Sequence, residues 1–344
     1  MNRAPAWICT VLFTVSFIFV PEAFALETVT ISDLGIVADA PVYVAIEKGY
    51  FKEHGVEAKR MKFASAAETT AALSTGELQF SGGAVSAGLF NAFAREWPVR
   101  IAMSRTRDTP GFSSNTLVVR GDLKDQIRSI ADLKGRKVAI NAPANVLVYL
   151  FGSMLEAEKL SLKDVEVVYM PWPNMGPAFD RKAIDAGMMV EPFVAQYQGR
   201  AQAFPFKRAG DHFRKPPLEA SVILVNKEWM DKNFKLATDF TVAYFKGLRY
   251  VYDAMMVAGG RNRSEVLDIV SRYTGMKDKP IFDRMQWSYW DPNGKVERDS
   301  LRDQQDWHAK QGTVPKKVNI DEIIDERLVK YAIGQLGVAV EKRP

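Results

Sequence analysis

The sequence predicts an α/β fold built as two units joined by two strand crossings. Three observations carry this. Short apolar strands alternate with helical stretches, the pattern of a largely parallel sheet with helices on its faces. The alternation stops near residue 117 and then restarts. A last apolar strand, Ser221–Val225, closes the second unit before the chain turns mainly helical from Lys227 onward.

The elements follow in order. Thr28–Ser32 reads as the first strand, with a glycine-bearing loop from Asp33 to Ala40. A helix starts near Pro41, where a first-turn proline costs nothing, and stops at Gly49. Phe63 ends a second strand. Ser65 and Glu68 have capping-box spacing for the next helix, which Gly76 closes. Leu78–Phe80 is a short strand running into the loop Ser81–Ser86, with a helix from about Ala87 to Phe93 and a strand at Val99–Ala102. In the second unit Leu117–Val119 is the first crossing, Ser129–Gly135 a helical turn, and Lys137–Ile140 a strand. A helix follows the loop Asn141–Ala144, and Val165–Met170 and Met188–Val190 are further strands.

The start of the chain reads as an export signal. Asn2 and Arg3 precede an apolar run, Ala6–Val20, and Ala23-Phe24-Ala25 presents small residues at both key positions of a cleavage site. The run is shorter than the roughly 20 apolar residues a spanning helix needs. Residues 1–25 are therefore expected to be removed, leaving Leu26 as the first residue of a periplasmic protein. Cys9, the single cysteine, lies in that segment, so disulfides, thiolate metal sites and cysteine nucleophiles are not expected afterwards. The three histidines, His54, His212 and His308, have no ligand spacing, and no metal or cofactor is expected. A formal charge of +5, spread along the chain, does not point to nucleic acid.

Four segments in order then resemble one family. Pro41–Val56 (PVYVAIEKGYFKEHGV), Ala72–Phe80 (ALSTGELQF), Ser129–Ala139 (SIADLKGRKVA) and Ala183–Phe193 (AIDAGMMVEPF) are similar to the nitrate, sulfonate, taurine and pyrimidine-precursor binding proteins of ABC importers. Gln79 replaces an acid of the family pattern, and Lys182 stands where a glycine is common. The resemblance implies a two-lobed periplasmic binding fold of type II-like form. Lobe one is expected over 26–116, lobe two over 117–222, and residues 223–344 return to lobe one with the C-terminal helices. It also implies closure around a small molecule and delivery to an inner-membrane permease; the chain is expected to act as a monomer.

Ligands of open α/β sheets sit beyond the carboxyl ends of strands, where helix N-termini favour anions. Three loops qualify: Gly35–Tyr43, with Asp39 inside it; Ser81–Ser86, with Gly82 and Gly83; and Asn141–Tyr149, with Asn145. Glu191 either receives a ligand amine or ties a helix end. Arg105 and Arg107, placed in a loop after Val99–Ala102, either form a fork for a carboxylate or carry solvated charge. Where sulfonate and nitrate binders often have a hydroxyl-rich turn, this chain has Ala142-Pro143-Ala144-Asn145, followed by apolar Val146-Leu147-Val148-Tyr149. That departure favours an organic anion with an apolar body, more a carboxylate than nitrate or a simple sulfonate. Alternatives are a pyrimidine precursor, or a protein that presents its ligand to a membrane sensor. A hydrolase is not expected, because the Gly-x-Ser-x-Gly motif is absent. The aromatic stretch Trp287–Gly294 either lines the cleft or packs the C-terminal helices.

Overall fold

The computed structural model describes residues 25–63, 66–212, 217–277 and 280–341. The expected export segment, up to residue 24, and Ser65 of the expected capping box lie outside the described residues.

Ten strands form two five-stranded sheets. The first contains β1 (Glu27–Asp33), β2 (Val56–Lys62), β3 (Phe80–Ala84), β4 (Val99–Asp108) and β10 (Leu218–Asn226), in the order β2-β1-β3-β10-β4. The second contains β5 (Asn115–Arg120), β6 (Lys137–Ile140), β7 (Glu166–Tyr169), β8 (Ala186–Val190) and β9 (Ala203–Arg208), in the order β7-β6-β8-β5-β9. In each sheet three parallel strands continue into an antiparallel pair, β10 and β4 in the first and β5 and β9 in the second. Parallel strands buried on both faces read as apolar runs, as β8 and β6 do.

The crossings fall earlier than the sequence placed them. β4 ends in the first sheet at Asp108 and β5 begins in the second at Asn115, so the first crossing is 109–114. β10 belongs wholly to the first sheet, pairing with β4 from Leu218↔Asp108 and with β3 from Ser221↔Ala84. The chain therefore passes back to the first sheet between Arg208 of β9 and Leu218 of β10, and Ser221–Val225 does not end the second unit. A buried apolar run carries no label saying which sheet it joins; only its partners decide that.

The helices that matter here are α1 (Ala40–Glu47), α2 (Ala87–Ala94), α3 (Val146–Ala157), α4 (Trp172–Asp180), α5 (Phe193–Gly199), α6 (Phe234–Met255), α7 (Arg263–Thr274) and α8 (Arg298–Lys310). The long amphipathic α6 packs its apolar side on α1, burying Phe240, Tyr244 and Leu248 in the lobe-one core. The C-terminal segment does not serve lobe one alone, since Trp307 of α8 lies in the lobe-two core with Tyr149 and Phe151 of α3. The stretch 286–291 runs along the crossings: Tyr289 bridges Arg107, and Ser288 Oγ lies 2.6 Å from Ser114 Oγ. Trp287 and Trp290 pack into the lobe-one core. No helix among the described residues is long and apolar enough to cross a membrane.

Candidate functional site

Asp33 ends β1 and organises the lobe-one side. Its buried carboxylate accepts from the Gly35 N–H (2.9 Å), the Tyr43 hydroxyl (2.7 Å) and Arg60 Nη1 (2.5 Å). The Tyr43 ring stacks on Tyr273 at 4.5 Å, and the Arg60 guanidinium lies 4.4 Å from the centre of Tyr273. A second acid, Asp39, accepts from the Leu34 N–H (3.2 Å) and is ion-paired to Arg105, both side chains being buried. Burial pushes the Asp39 carboxyl up, and the Arg105 charge pulls it back. Beside these groups a cavity of about 350 Å³ opens, lined by Asp33, Gly35, Lys62, Phe63, Arg272 and Tyr273 among others.

Arg105 reaches Asp39 because position 82 has no side chain. A Cβ on Gly82 would lie 2.8 Å from the Arg105 Cζ. Gly82 and its neighbours Ser81 and Gly83 stand inside β3, not in a loop after it, and Ser81 Oγ lies 3.2 Å from Ser32 Oγ. The N–H groups expected to greet an anion are already used. Gly35 and Leu34 donate to Asp33 and Asp39, Gly82 donates to Ser32 Oγ (2.9 Å), and Ala87 donates to Ala144 O (2.9 Å).

The structure also moves both arginines from a loop into β4, where they are buried. Arg107 is not a free ligand fork. Its guanidinium pairs with Asp291, with Glu297 (2.9 Å) and with the Lys295 carbonyl, and its Nε lies 4.0 Å from Glu219. Three carboxylates facing one cation leave it no charge to offer.

In lobe two, Tyr149 is turned away from the strand ends. It is fully buried, donates to Asp303 Oδ2 (2.5 Å) and meets Trp307 edge-on. Val146 and Leu147 are core residues as well. α3 is apolar because it is covered on both sides, by its own sheet and by α8. Glu191 ties a helix end: its carboxylate accepts from the Ala195 N–H of α5 and the Gln286 N–H, each at 3.0 Å, and burial pushes it up to about 7. Asn145 caps α3 by accepting from the Leu147 and Val148 N–H groups, and it forms a β-bridge with Ser86 of lobe one. The two lobes thus touch at the loops after β3 and β6.

Sequence reading missed Trp172 and Phe193. Trp172 opens α4 after β7 and Phe193 opens α5 after β8; their half-buried rings stack at 5.9 Å. The buried Trp172 indole N–H has no hydrogen-bond partner among the described residues. The strand-end rule that selected the other loops selects these two residues equally. Asp33, Arg60 and Tyr273 were missed too, and only Asp33 carried a signal, as the residue leaving β1.

Three carboxyls near the crossings, Asp108, Glu191 and Glu219, are buried deeply enough that desolvation dominates their titration. Burial pushes Asp108 up to about 6, and Glu191 and Glu219 up to about 7. Each stays protonated in the folded chain where the unfolded chain has already lost its proton. The stability this gives is full below the unfolded carboxyl range and is lost as pH rises through about 6 to 7. His308 acts oppositely, because burial holds its imidazole neutral down to about 4, so folding is opposed as pH falls below 6.5. Three groups outweigh one, and unfolding in urea is expected to need about 1–2 kcal/mol more at about pH 5.5 than at about pH 7.5. Equal stability at both pH values would contradict this balance.

Comparisons with known proteins give the lineage. A family model described as NMT1/THI5 like matches residues 38–254, well over half of the chain. A putative binding protein of Brucella abortus (strain 2308) is 26% identical over 182 residues, which cover 51% of this chain and 52% of that one. The chain therefore matches about half the length of this curated relative. Among solved structures, the alkanesulfonate-binding protein of Xanthomonas axonopodis pv. citri superposes with a TM-score of 0.71 at 16% identity, covering 87% of this chain and 98% of that one. The desulfurization enzyme DSZB superposes with a TM-score of 0.65 at 14% identity, covering 90% and 99%. At these identities the structural likeness establishes the two-lobed fold.

Proposed function

The chain belongs to the NMT1/THI5-like family, and on that premise we propose that it is the periplasmic solute-binding component of an ABC importer. The observation that carries the reading is the meeting of two α/β sheets at their strand-end loops, with Ser86 and Ala87 of one lobe bonded to Asn145 and Ala144 of the other. Two crossings between the sheets and a polar contact across the mouth suit a clamp that closes on one molecule. Among the described residues no set of nucleophile, base and oxyanion donors comes together at these strand ends, which favours binding over catalysis.

The ligand proposed is a small organic anion, carboxylate or sulfonate-like, with a flat apolar body. Trp172 and Phe193 supply the apolar surface. Lys62 at the lobe-one cavity supplies positive charge, next to Arg272, which is paired with Glu47 (2.6 Å). A second reading, a neutral pyrimidine-like ring, is favoured by the consumption of the loop N–H groups by Asp33 and Asp39. Delivery to a permease and release from a signal peptide at Leu26 complete the proposal.

The deciding experiment is a thermal-shift screen of the exported protein with aromatic and aliphatic carboxylates, sulfonates, nitrate and pyrimidines. A ligand held at about 100 times its dissociation constant stabilises by about 2.7 kcal/mol. Response to carboxylates or sulfonates bears out the anion, response to pyrimidines alone selects the second reading, and response to none overturns the binding function. For whichever probe binds, Trp172→Ala is expected to weaken affinity about tenfold or more by calorimetry. Unchanged affinity would remove the aromatic pair from the site.

A further inference from the structure

Trp307 joins the two lobes at a point remote from the strand ends. Its helix, α8, is anchored to lobe one: the Glu219 N–H donates to Ser300 Oγ (2.9 Å), Gln304 Nε2 donates to the Glu219 carbonyl (2.9 Å), and Arg298 pairs with Asp321 (2.9 Å). The outward side of α8 meets α3 of lobe two. There the Trp307 ring sits over Gly152, where a Cβ would come within 2.2 Å of the ring. The indole N–H donates to Glu156 Oε1 (3.1 Å), and one turn away Tyr149 donates to Asp303 (2.5 Å). Lys310 adds a long ion pair to Glu156 (3.8 Å). A lobe-one side chain therefore occupies a notch in the core of lobe two, on the same helix that Asn145 caps at the interlobe bridge.

We propose that Trp307 and the Gly152 notch form a latch that holds the two lobes in the closed arrangement and slows their separation. This rests on the clamp reading above and adds to it the residue pair that regulates closure. Glycine in a helix interior is ordinarily a disadvantage against alanine. At position 152 the ring contact leaves no room for a side chain: α3 gives up helix propensity and gains the seat for Trp307. When the lobes part, the seat empties and the indole loses both its packing and its acceptor.

The test needs no ligand, so it stands apart from any failure to identify one. Trp307→Ala and Gly152→Ala, made in the whole chain, attack the latch from its two sides. Both are expected to enlarge the radius of gyration by small-angle scattering relative to wild type. Both are also expected to speed hydrogen exchange of the Ala87 amide, which bonds to Ala144 across the lobes, by about tenfold. In the Trp307→Ala background, Gly152→Ala is expected to reverse sign and raise the urea midpoint, because only the helix gain remains. A Trp307→Ala protein of lower midpoint but wild-type radius and wild-type Ala87 exchange would overturn the latch and make Trp307 an ordinary core residue. A Gly152→Ala substitution that stabilises the otherwise wild-type chain would overturn the notch.

Discussion

Arg105→Ala is expected to lower the unfolding free energy by about 3–5 kcal/mol, because it strands a buried carboxylate. Asp39 is almost fully enclosed, and burial already pushes its carboxyl up against the pull of Arg105. With the guanidinium gone, that carboxyl either ionises without a partner or takes up a proton, and both routes cost stability. Gly82→Ala attacks the same pair indirectly, since its Cβ would stand 2.8 Å from the Arg105 Cζ. Removing both partners, Arg105→Met with Asp39→Asn, is expected to recover much of the loss. Urea unfolding of the three variants measures this. A loss below about 1 kcal/mol in Arg105→Ala, or a double variant as weak as the single, would show that the pair does not hold the β1 loop.

The same pair explains what the sequence could and could not reveal. The parallel strands and their helices were legible because apolar runs, proline starts and glycine stops are local. The second half of β4 was not. Ser104-Arg-Thr-Arg-Asp108 reads as a loop, yet it is a buried strand in which every polar side chain is answered from far away. Arg105 is answered by Asp39, 66 residues back; Ser104 by Glu219, 115 residues on; Arg107 by Asp291, 184 residues on. Such partners exist only after folding, so no window of sequence contains them.

The site followed the same division. The strand-end rule selects two loops that the fold brings together across the lobes, but it does not tell which groups face the cleft and which turn inward. From sequence, Tyr149 reads as cleft surface because its helix opens with an apolar run. That run is explained instead by the cover α8 provides, from about 150 residues further along the chain. Glu191 was readable as a helix tie or an amine acceptor, and the Gln286 N–H is what decides for the tie.

Arg107→Ala carries the other large effect, and it separates a structural arginine from a ligand-binding one. The guanidinium is the shared partner of Asp291, Glu297 and Glu219, of which Asp291 and Glu219 are buried. Its removal leaves carboxylates clustered at the start of β10 and along the 286–297 stretch, at an expected cost of about 3–5 kcal/mol. The cost should depend on pH. Glu219 is already pushed up to about 7, and without Arg107 it will hold its proton more tightly still. At about pH 6 a protonated Glu219 relieves part of the repulsion, so the loss is expected to be smaller there than at about pH 8. Arg107→Lys should restore only part of the stability, because one ammonium cannot span three carboxylates and the Lys295 carbonyl as the planar fork does. For any probe found in the thermal-shift screen, affinity measured well below the melting range should stay near wild type in both variants. A protein of undiminished stability whose probe affinity falls tenfold or more would reverse this assignment and return Arg107 to the binding site.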